Sequence, residues 1–361
     1  MQGTNSLRTL VTDLQTKGLC KELGFEATPF STLKDGFRRF ESSHFRAMYE
    51  QVLSSFDWSN LKGFSELGRI FAVDGSLFPT LIQMKWTQYK KTANSCKLHL
   101  CLDIGRMVAT EFMVESGNSS ERNFLISIAQ AGMTYIADRG YFSFDLVQKL
   151  HELGAFFVLR IKSNVLFTVK EHLEITYSQK MPTCFNFVSD RIITFNNDES
   201  GLQYRLICFL IGTKEFRICT NRLEINTLQV IMLYAFRWQI ELMFKFIKRT
   251  MNGIHFYNNT KNGVQIQIYI IMTLALLQLR LKQSCQRIHI QTQKKIDEIQ
   301  EKQPTMESFI SYFGNDPGKF IENIAQNFYL AWKISKRFLQ ILNNSLSKNI
   351  DNQLIEMFAV T

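Results

Sequence analysis

Apolar and polar positions divide the chain into three textures. In the middle, apolar residues come in short runs: Ile70-Phe71-Ala72-Val73 before Asp74, Thr134-Tyr135-Ile136-Ala137 before Asp138, and Phe156-Phe157-Val158-Leu159 before Arg160. Such short runs, bounded by polar residues, read as buried central strands. The pattern predicts strands over 69–74, 97–102 and 106–114, the last two joined tightly through Asp103-Ile104-Gly105. A helix over 121–131, a strand ending at Asp138, a helix over 143–153 and a strand over 156–160 follow. Three strands, then alternating helices and strands, predict an α/β fold with a mixed sheet and helices on both faces. From 164 to 221 the pattern turns strand-rich again, with runs at 184–188, 191–195, 204–211 and 216–220 and a polar loop at 196–201. The flanks are helical. Residues 1–66 carry turn signals at Gly18, Gly24 and Pro29 and a helix start near Phe30, with Ser31 or Thr32 as N-cap. An apolar helix over 264–281 closes the middle region, and 284–361 reads as polar, basic and helical.

One stretch has a different periodicity. From Tyr234 to Lys248 there is no Gly or Pro, and the residues are good helix formers, so one continuous helix is predicted. At about 100° per residue, Tyr234, Arg237, Glu241, Lys245 and Lys248 share a narrow stripe, with Phe236, Ile240, Met243 and Ile247 opposite. The helix alone leaves two readings open. The stripe is a solvated face with Glu–Lys pairs, or it is an acid flanked by cations that serves metal and phosphate. Asp74 and Asp138 favour the second, because ligands gather where such strands end. Three carboxylates from two strand ends and a helix can hold two divalent cations for phosphoryl transfer.

Composition narrows the classes. Of 361 residues, 45% are hydrophobic and 31 are Phe, which excludes a disordered chain. A net charge of +10 points to a polyanion, DNA or RNA. In the N-terminal region Arg38, Arg39 and Arg46 alternate with aromatic residues, a pattern that suits DNA docking as well as a solvated bundle. The segment 85–91, basic with Trp86 and Tyr89, suits a strand-contacting loop or a linker equally. Seven cysteines without a CxxC spacing read as reduced core residues, and Cys285 and His289 lack partners for a zinc pattern. The start shows no signal design, and the apolar run at 269–277 is interrupted by Gln278 and Arg280. The expectation is a soluble, cytoplasmic protein with no membrane partner.

The pattern Tyr-x2-Arg-x3-Glu-x6-Lys, filled by Tyr234, Arg237, Glu241 and Lys248, follows Asp-Gly-Ser at 74–76 and Asp-Arg-Gly-Tyr at 138–141. In this order the three blocks resemble the signature of DDE transposases of the insertion-sequence-4 type. Lys97-Leu98-His99, residues 157–162 and Thr220-Asn221-Arg222 echo the same family, so the resemblance runs from about 71 to 248. It implies a ribonuclease H-like core in two parts, 67–163 and 222–283, split by the β-rich insertion 164–221. A DNA-end-binding domain at 1–66 and a helical region at 284–361 flank it. It implies two Mg²⁺ (or Mn²⁺) ions, with Asp74 bridging them, Asp138 on one and Glu241 on the other. Arg237 and Lys248 would clamp phosphates and Tyr234 would donate to one, with Lys245, Arg160 and Lys162 extending the DNA-binding track. The implied function is a DNA transposase that cleaves at insertion-sequence ends and transfers 3′-hydroxyl ends into target DNA through a hairpin. A homodimer in the synaptic complex and a bacterial, nucleoid-associated location go with it. The insertion contains no Trp to stack on a flipped base, which leaves Phe185, Phe187 and Tyr204, each also suited to core packing. A ribonuclease H-fold nuclease without strand transfer, or a non-catalytic DNA-binding descendant, are the alternatives.

Overall fold

The computed structural model describes residues 6–16, 24, 26, 28–56, 64–80, 84–90, 93–175, 184–198, 200–250 and 256–280. A mixed sheet of ten strands organises it. β1 (Ile70–Pro79) is flanked on one side by β3 (Ala93–Asp103), antiparallel, and on the other by β5 (Thr134–Ala137), parallel. β4 (Val108–Ser116) pairs with the far side of β3, next to the short β2 (Gln88–Lys90). β6 (Phe156–Arg160) runs parallel to β5. The order β4-β3-β1-β5-β6, three antiparallel strands and then two parallel to the first, is the ribonuclease H-like arrangement. All four residues of β5 are buried, as expected of a parallel strand covered on both faces.

One face is covered by α4 (Glu121–Ile128) and α5 (Phe144–Glu152). Their Phe124, Leu125, Leu146, Val147 and Leu150 join Phe71, Val73, Tyr135, Phe157 and Leu159 in a single core cluster. Strand alternation turns Ala72, Ile136 and Val158 the other way. There α6 (Thr227–Ala235) packs on β5 and β6, and α7 (Trp238–Thr250) packs on β1. Side-chain caps fix three helix starts: Ser120 accepts from Asn123 N, Ser143 from Leu146 N, and Asn226 forms a capping box with Gln229.

Several boundaries differ from the sequence expectation. β1 continues past Asp74, because its ladder with β3 runs on to Pro79 opposite Ser95. The helix expected to reach 131 stops at Ile128. Ala129 is extended there, and the Tyr135 hydroxyl donates to Ile128 O while accepting from Gln130 N. The runs at 184–188 and 191–195 belong to one bulged strand, β8 (Asn186–Phe195), and β7 (Phe167–His172) was not foreseen. β9 (Tyr204–Ile211) and β10 (Lys214–Thr220) complete the strand-rich segment. These strands do not form a separate sheet: β10 bonds to β6, and the ladder continues through β9 and β8 to β7. Asn221 and Arg222 stitch the start of this sheet, bonding to Phe157 N, Ala155 O, Thr134 Oγ1 and Leu67 O.

Of the N-terminal region the described residues form α1 (Leu7–Thr16), α2 (Phe30–Arg39) and α3 (Ser42–Ser54). The N-cap of α2 is Pro29, not Ser31 or Thr32, and no side chain caps it. Buried Tyr49 of α3 donates to Ala109 O and meets the Phe112 ring at 5.0 Å. The last described helix, α8 (Lys261–Arg280), carries in its first turn Asn262, whose amide bonds to Phe37 O and Phe40 O and accepts from Ser42 N. With a mean hydropathy of 1.4, α8 is long and apolar enough to cross a membrane by length and composition, but its Val264, Ile266 and Ile268 are buried. Of the described residues, those up to 270 belong to one compact unit and 271–280 to a second. The expected helical region 284–361, and Cys285 with His289, lie outside the described residues. Among the described cysteines, Cys96, Cys101 and Cys219 are free and buried as expected, whereas Cys184 and Cys208 are only half-buried.

Candidate active site

The three acids come from the elements that the motifs suggested, with one correction. Asp74 does not end its strand. It lies inside β1, just beyond the last parallel pair, Ala72 with Ile136, where β1 and β5 part. Asp138 directly follows β5, on the same side of that parting. Glu241 lies in the first turn of α7, the helix packed on β1. Asp74 Oδ1 accepts from Gly75 N at 2.8 Å. Burial pushes the Asp74 carboxyl up to about 7; the Gly75 amide and Arg237 oppose this, while Glu121 and Glu241 add to it.

The helix that carries Glu241 is not the continuous one expected. α6 ends at Ala235, Phe236 and Arg237 form a tight turn, and α7 starts at Trp238. Bonds of the i→i+3 type hold the turn: Arg237 N to Tyr234 O, Gln239 N to Phe236 O and Ile240 N to Arg237 O. Neither Gly nor Pro marks it. Tyr234 and Arg237 are 1% and 3% exposed, so the stripe is not a solvated face. The Tyr234 hydroxyl donates to Asp138 Oδ1 at 3.2 Å, and Arg237 Nη2 donates to Glu241 Oε1 at 2.5 Å. The Arg237 guanidinium also lies 5.8 Å from the centre of the Tyr234 ring. A chain of contacts thus runs Asp138–Tyr234–Arg237–Glu241. Burial raises the Tyr234 hydroxyl, which holds its proton for this bond. Burial also lowers the basicity of Arg237, but Tyr234, Glu241 and Asp138 more than restore it.

The remaining predicted cations separate. Buried Arg160 stacks its guanidinium 4.4 Å from the Phe216 ring centre and acts electrostatically on Tyr234. Lys162 is exposed just beyond β6. Lys248 is exposed, with Nζ 5.2 Å from the Phe78 ring of β1. Lys245 does not join the acids; its ammonium lies 4.1 Å from the Trp238 ring. Two cations escaped the sequence reading. Lys214, at the start of β10, loses basicity first through burial and then through Arg160 and Arg139, and Asp138 opposes this, so these groups lie within electrostatic reach of Lys214. The juxtaposition of β10 with β6 that brings them together is a long-range pairing with no local signal.

Among the described residues no three His, Cys, Asp or Glu side chains stand close enough to hold a metal ion. The donor set is nevertheless all carboxylate oxygen, the chemistry that suits Mg²⁺ or Mn²⁺. Asp74 is a half-buried carboxylate on which Glu121 and Glu241 act electrostatically, and the buried Tyr141 hydroxyl and Arg237 Nε have no hydrogen-bond partner. An all-oxygen donor set, with an unmet hydroxyl that could bond to a bound water, fits a hard divalent cation.

The transposase DDE domain family matches residues 65–277. A protein named as a transposase in Sinorhizobium fredii is 25% identical over 221 residues, covering 60% of this chain and 61% of the relative. One named for insertion sequence element IS5377 of Geobacillus stearothermophilus is 20% identical over 188 residues, 52% of this chain and 49% of the relative. One named for insertion sequence element IS4SA of Synechocystis is 29% identical over 148 residues, 40% of each chain. Thus the chain spans between 40% and 61% of the length of these relatives. Among solved structures, a piggyBac transposase synaptic complex with hairpin DNA aligns at a TM-score of 0.36 and 13% identity, over 81% of this chain and 57% of that one.

Proposed function

The chain belongs to the transposase DDE domain family, and from that premise we propose that it is a DNA transposase that cuts at insertion-sequence ends and joins the freed 3′ ends to target DNA. The observation that supports this reading is the chain of contacts Asp138–Tyr234–Arg237–Glu241 beside the point where β1, carrying Asp74, and β5 part. Asp74, Asp138 and Glu241 would hold two Mg²⁺ or Mn²⁺ ions, which when bound supply positive charge to attacking and leaving oxygens. The protein's own groups do the rest. Tyr234 fixes the rotamer of Asp138, and Arg237 fixes that of Glu241. Arg160, Arg139 and Lys214 present cations beside Asp138 for the DNA backbone, and exposed Lys248 and Lys162 extend the track. Every step is an in-line attack at phosphorus, so one site serves four: water cuts one strand, the 3′-hydroxyl attacks the other, water reopens the hairpin, and the 3′-hydroxyl attacks the target. The two ends are brought together by a homodimer.

Of the three aromatics in the strand-rich segment, Phe185 is 7% and Tyr204 0% exposed, whereas Phe187 is 84% exposed. Phe187 sits at the β8 bulge with φ 51, a conformation unfavourable for a bulky side chain. An exposed aromatic held in a strained turn suits stacking on an unpaired base, and Phe187 is assigned that role.

The test is cleavage and joining of DNA carrying the element's terminal repeats, in Mg²⁺. Asp74→Asn, Asp138→Asn and Glu241→Gln should each lower cleavage by about 10³-fold or more, with end binding in EDTA retained. A variant that cuts at the wild-type rate removes its residue from the site. Cleavage without joining of a pre-cut end would make the protein a nuclease.

A further inference from the structure

Glu121 is absent from all three acidic blocks, yet it stands between two of them. A Cβ on Gly75 would come within 2.8 Å of Glu121 Oε1, and one on Gly140 within 3.9 Å of Oε2. Gly75 is the residue whose amide holds Asp74, and Gly140 belongs to the loop after Asp138. The carboxylate therefore fills the gap between the Asp-Gly-Ser and Asp-Arg-Gly-Tyr segments. It is held there deliberately. Ser120 caps α4, which puts Glu121 in the first turn, and Lys97 of β3 reaches Glu121 Oε1 at 3.2 Å while donating to Ser119 O at 3.0 Å. Arg122, the next residue, clamps the other wall by donating to Tyr141 O, Gly140 O and Phe142 O. The Tyr141 hydroxyl, 1% exposed and without a partner, is subject to the charges of Asp74, Glu121 and Asp138. A buried donor within electrostatic reach of three carboxylates, and without a hydrogen-bond partner, marks a place where a further polar group completes the arrangement.

Resting on the proposed function, we infer that Glu121 is a fourth acidic member of the cation-binding centre, a positioning residue that orients water on the Asp74 side and that Lys97 holds in place. Outer hydrogen-bond partners of this kind change metal affinity by about 10–100-fold. The absence of a side chain at residue 75 is part of the device: the atoms nearest an added methyl are Oε1, Cγ and Cδ of Glu121, at 2.8, 3.2 and 3.3 Å. Gly75→Ala therefore displaces the carboxylate while leaving its charge in the protein.

The experiment titrates the full chain with Mn²⁺ alone, reading free Mn²⁺ by its paramagnetic resonance, with the metal-free thermal midpoint as a check on folding. Asp74→Asn should weaken uptake most. Glu121→Gln should weaken it about tenfold, and Gly75→Ala should act in the same direction with an unchanged midpoint. If Asp74→Asn loses Mn²⁺ while Glu121→Gln and Gly75→Ala bind as wild type does, Glu121 is only the partner of Lys97 and this inference fails alone. If Asp74→Asn binds Mn²⁺ as well as wild type, the metal reading of the site fails and takes this inference with it.

Discussion

Among the arginine–carboxylate pairs of the catalytic unit, two with a buried arginine differ in their surroundings. Asp190 of β8 accepts from Arg205 Nε at 2.9 Å, from Arg205 Nη2 at 2.5 Å and from Thr227 Oγ1 at 2.7 Å. Arg205 Nη1 donates to Ile225 O, so both partners are fully engaged. This forked pair ties the strand-rich segment to the start of α6. Arg237 and Glu241, by contrast, share a single bond at 2.5 Å, and Arg237 Nε has no partner although the residue is 3% exposed. Burying a charge is costly unless its hydrogen bonds are completed. A complete pair therefore serves the fold, while an incomplete one at the parting of two strands is arranged for a group that arrives from outside.

Breaking each pair should separate the two roles. Arg205→Met leaves Asp190 buried with Thr227 alone and should cost about 3–5 kcal/mol in urea unfolding. Arg237→Met frees a carboxylate that solvent already reaches and should cost about 1–2 kcal/mol, yet lower cleavage by about 10²–10³-fold. If Arg237→Met destabilises as much as Arg205→Met and cuts normally, the contrast is wrong.

His99 extends the comparison to a ring with one nitrogen engaged. It is 0% exposed, its Nε2 lies 2.8 Å from Ser119 Oγ, and Nδ1 has no partner. Burial, with Lys97 adding, lowers it from 6.5 to about 4. In the unfolded chain the imidazole takes its proton near the ordinary value, but in the fold it resists until near 4. Its contribution is therefore complete above pH 6.5 and disappears as pH falls towards 4, a loss of at most about 3 kcal/mol. Urea midpoints measured from pH 7 to 4 should fall less steeply for His99→Gln than for wild type; equal slopes would assign the acid sensitivity elsewhere.

The smallest effect concerns Phe187, where strain and exposure coincide. Phe187→Gly relieves the positive φ and should leave stability equal or slightly raised. It should lower hairpin formation about tenfold more than first-strand nicking, as loss of one stacked base implies. Equal loss in both steps, or in neither, would remove Phe187 from that role.

The parts of this site that were legible in the sequence were those written in local patterns. β6 was placed at its observed bounds, since a short apolar run ending in Arg160 has few alternatives. The order of Asp74, Asp138 and Glu241 also needed no tertiary information. The turn at Phe236–Arg237 was hidden, because its cause is the burial and pairing of Arg237 rather than a helix breaker. Asp74 was misplaced at a strand end because the register with β3, which carries β1 onward, depends on a partner distant in sequence. Glu121, Lys214 and Arg139 went unnoticed for the same reason. Their positions follow from which elements meet, and a single acid at a helix start has no periodicity to betray it.

The turn between α6 and α7 has a consequence for motion. α6 is buried along most of its length and opens only with the sheet beneath it, whereas α7 buries mainly Ile240, Phe244 and Ile247 and exposes Lys248. Local unfolding follows such boundaries, and thinly buried elements open at lower free energy. By that rule α7, which carries Glu241, is expected to open before the strands that carry Asp74 and precede Asp138. Opening of that one short helix would take Glu241 away from the other two acids with every strand left in register.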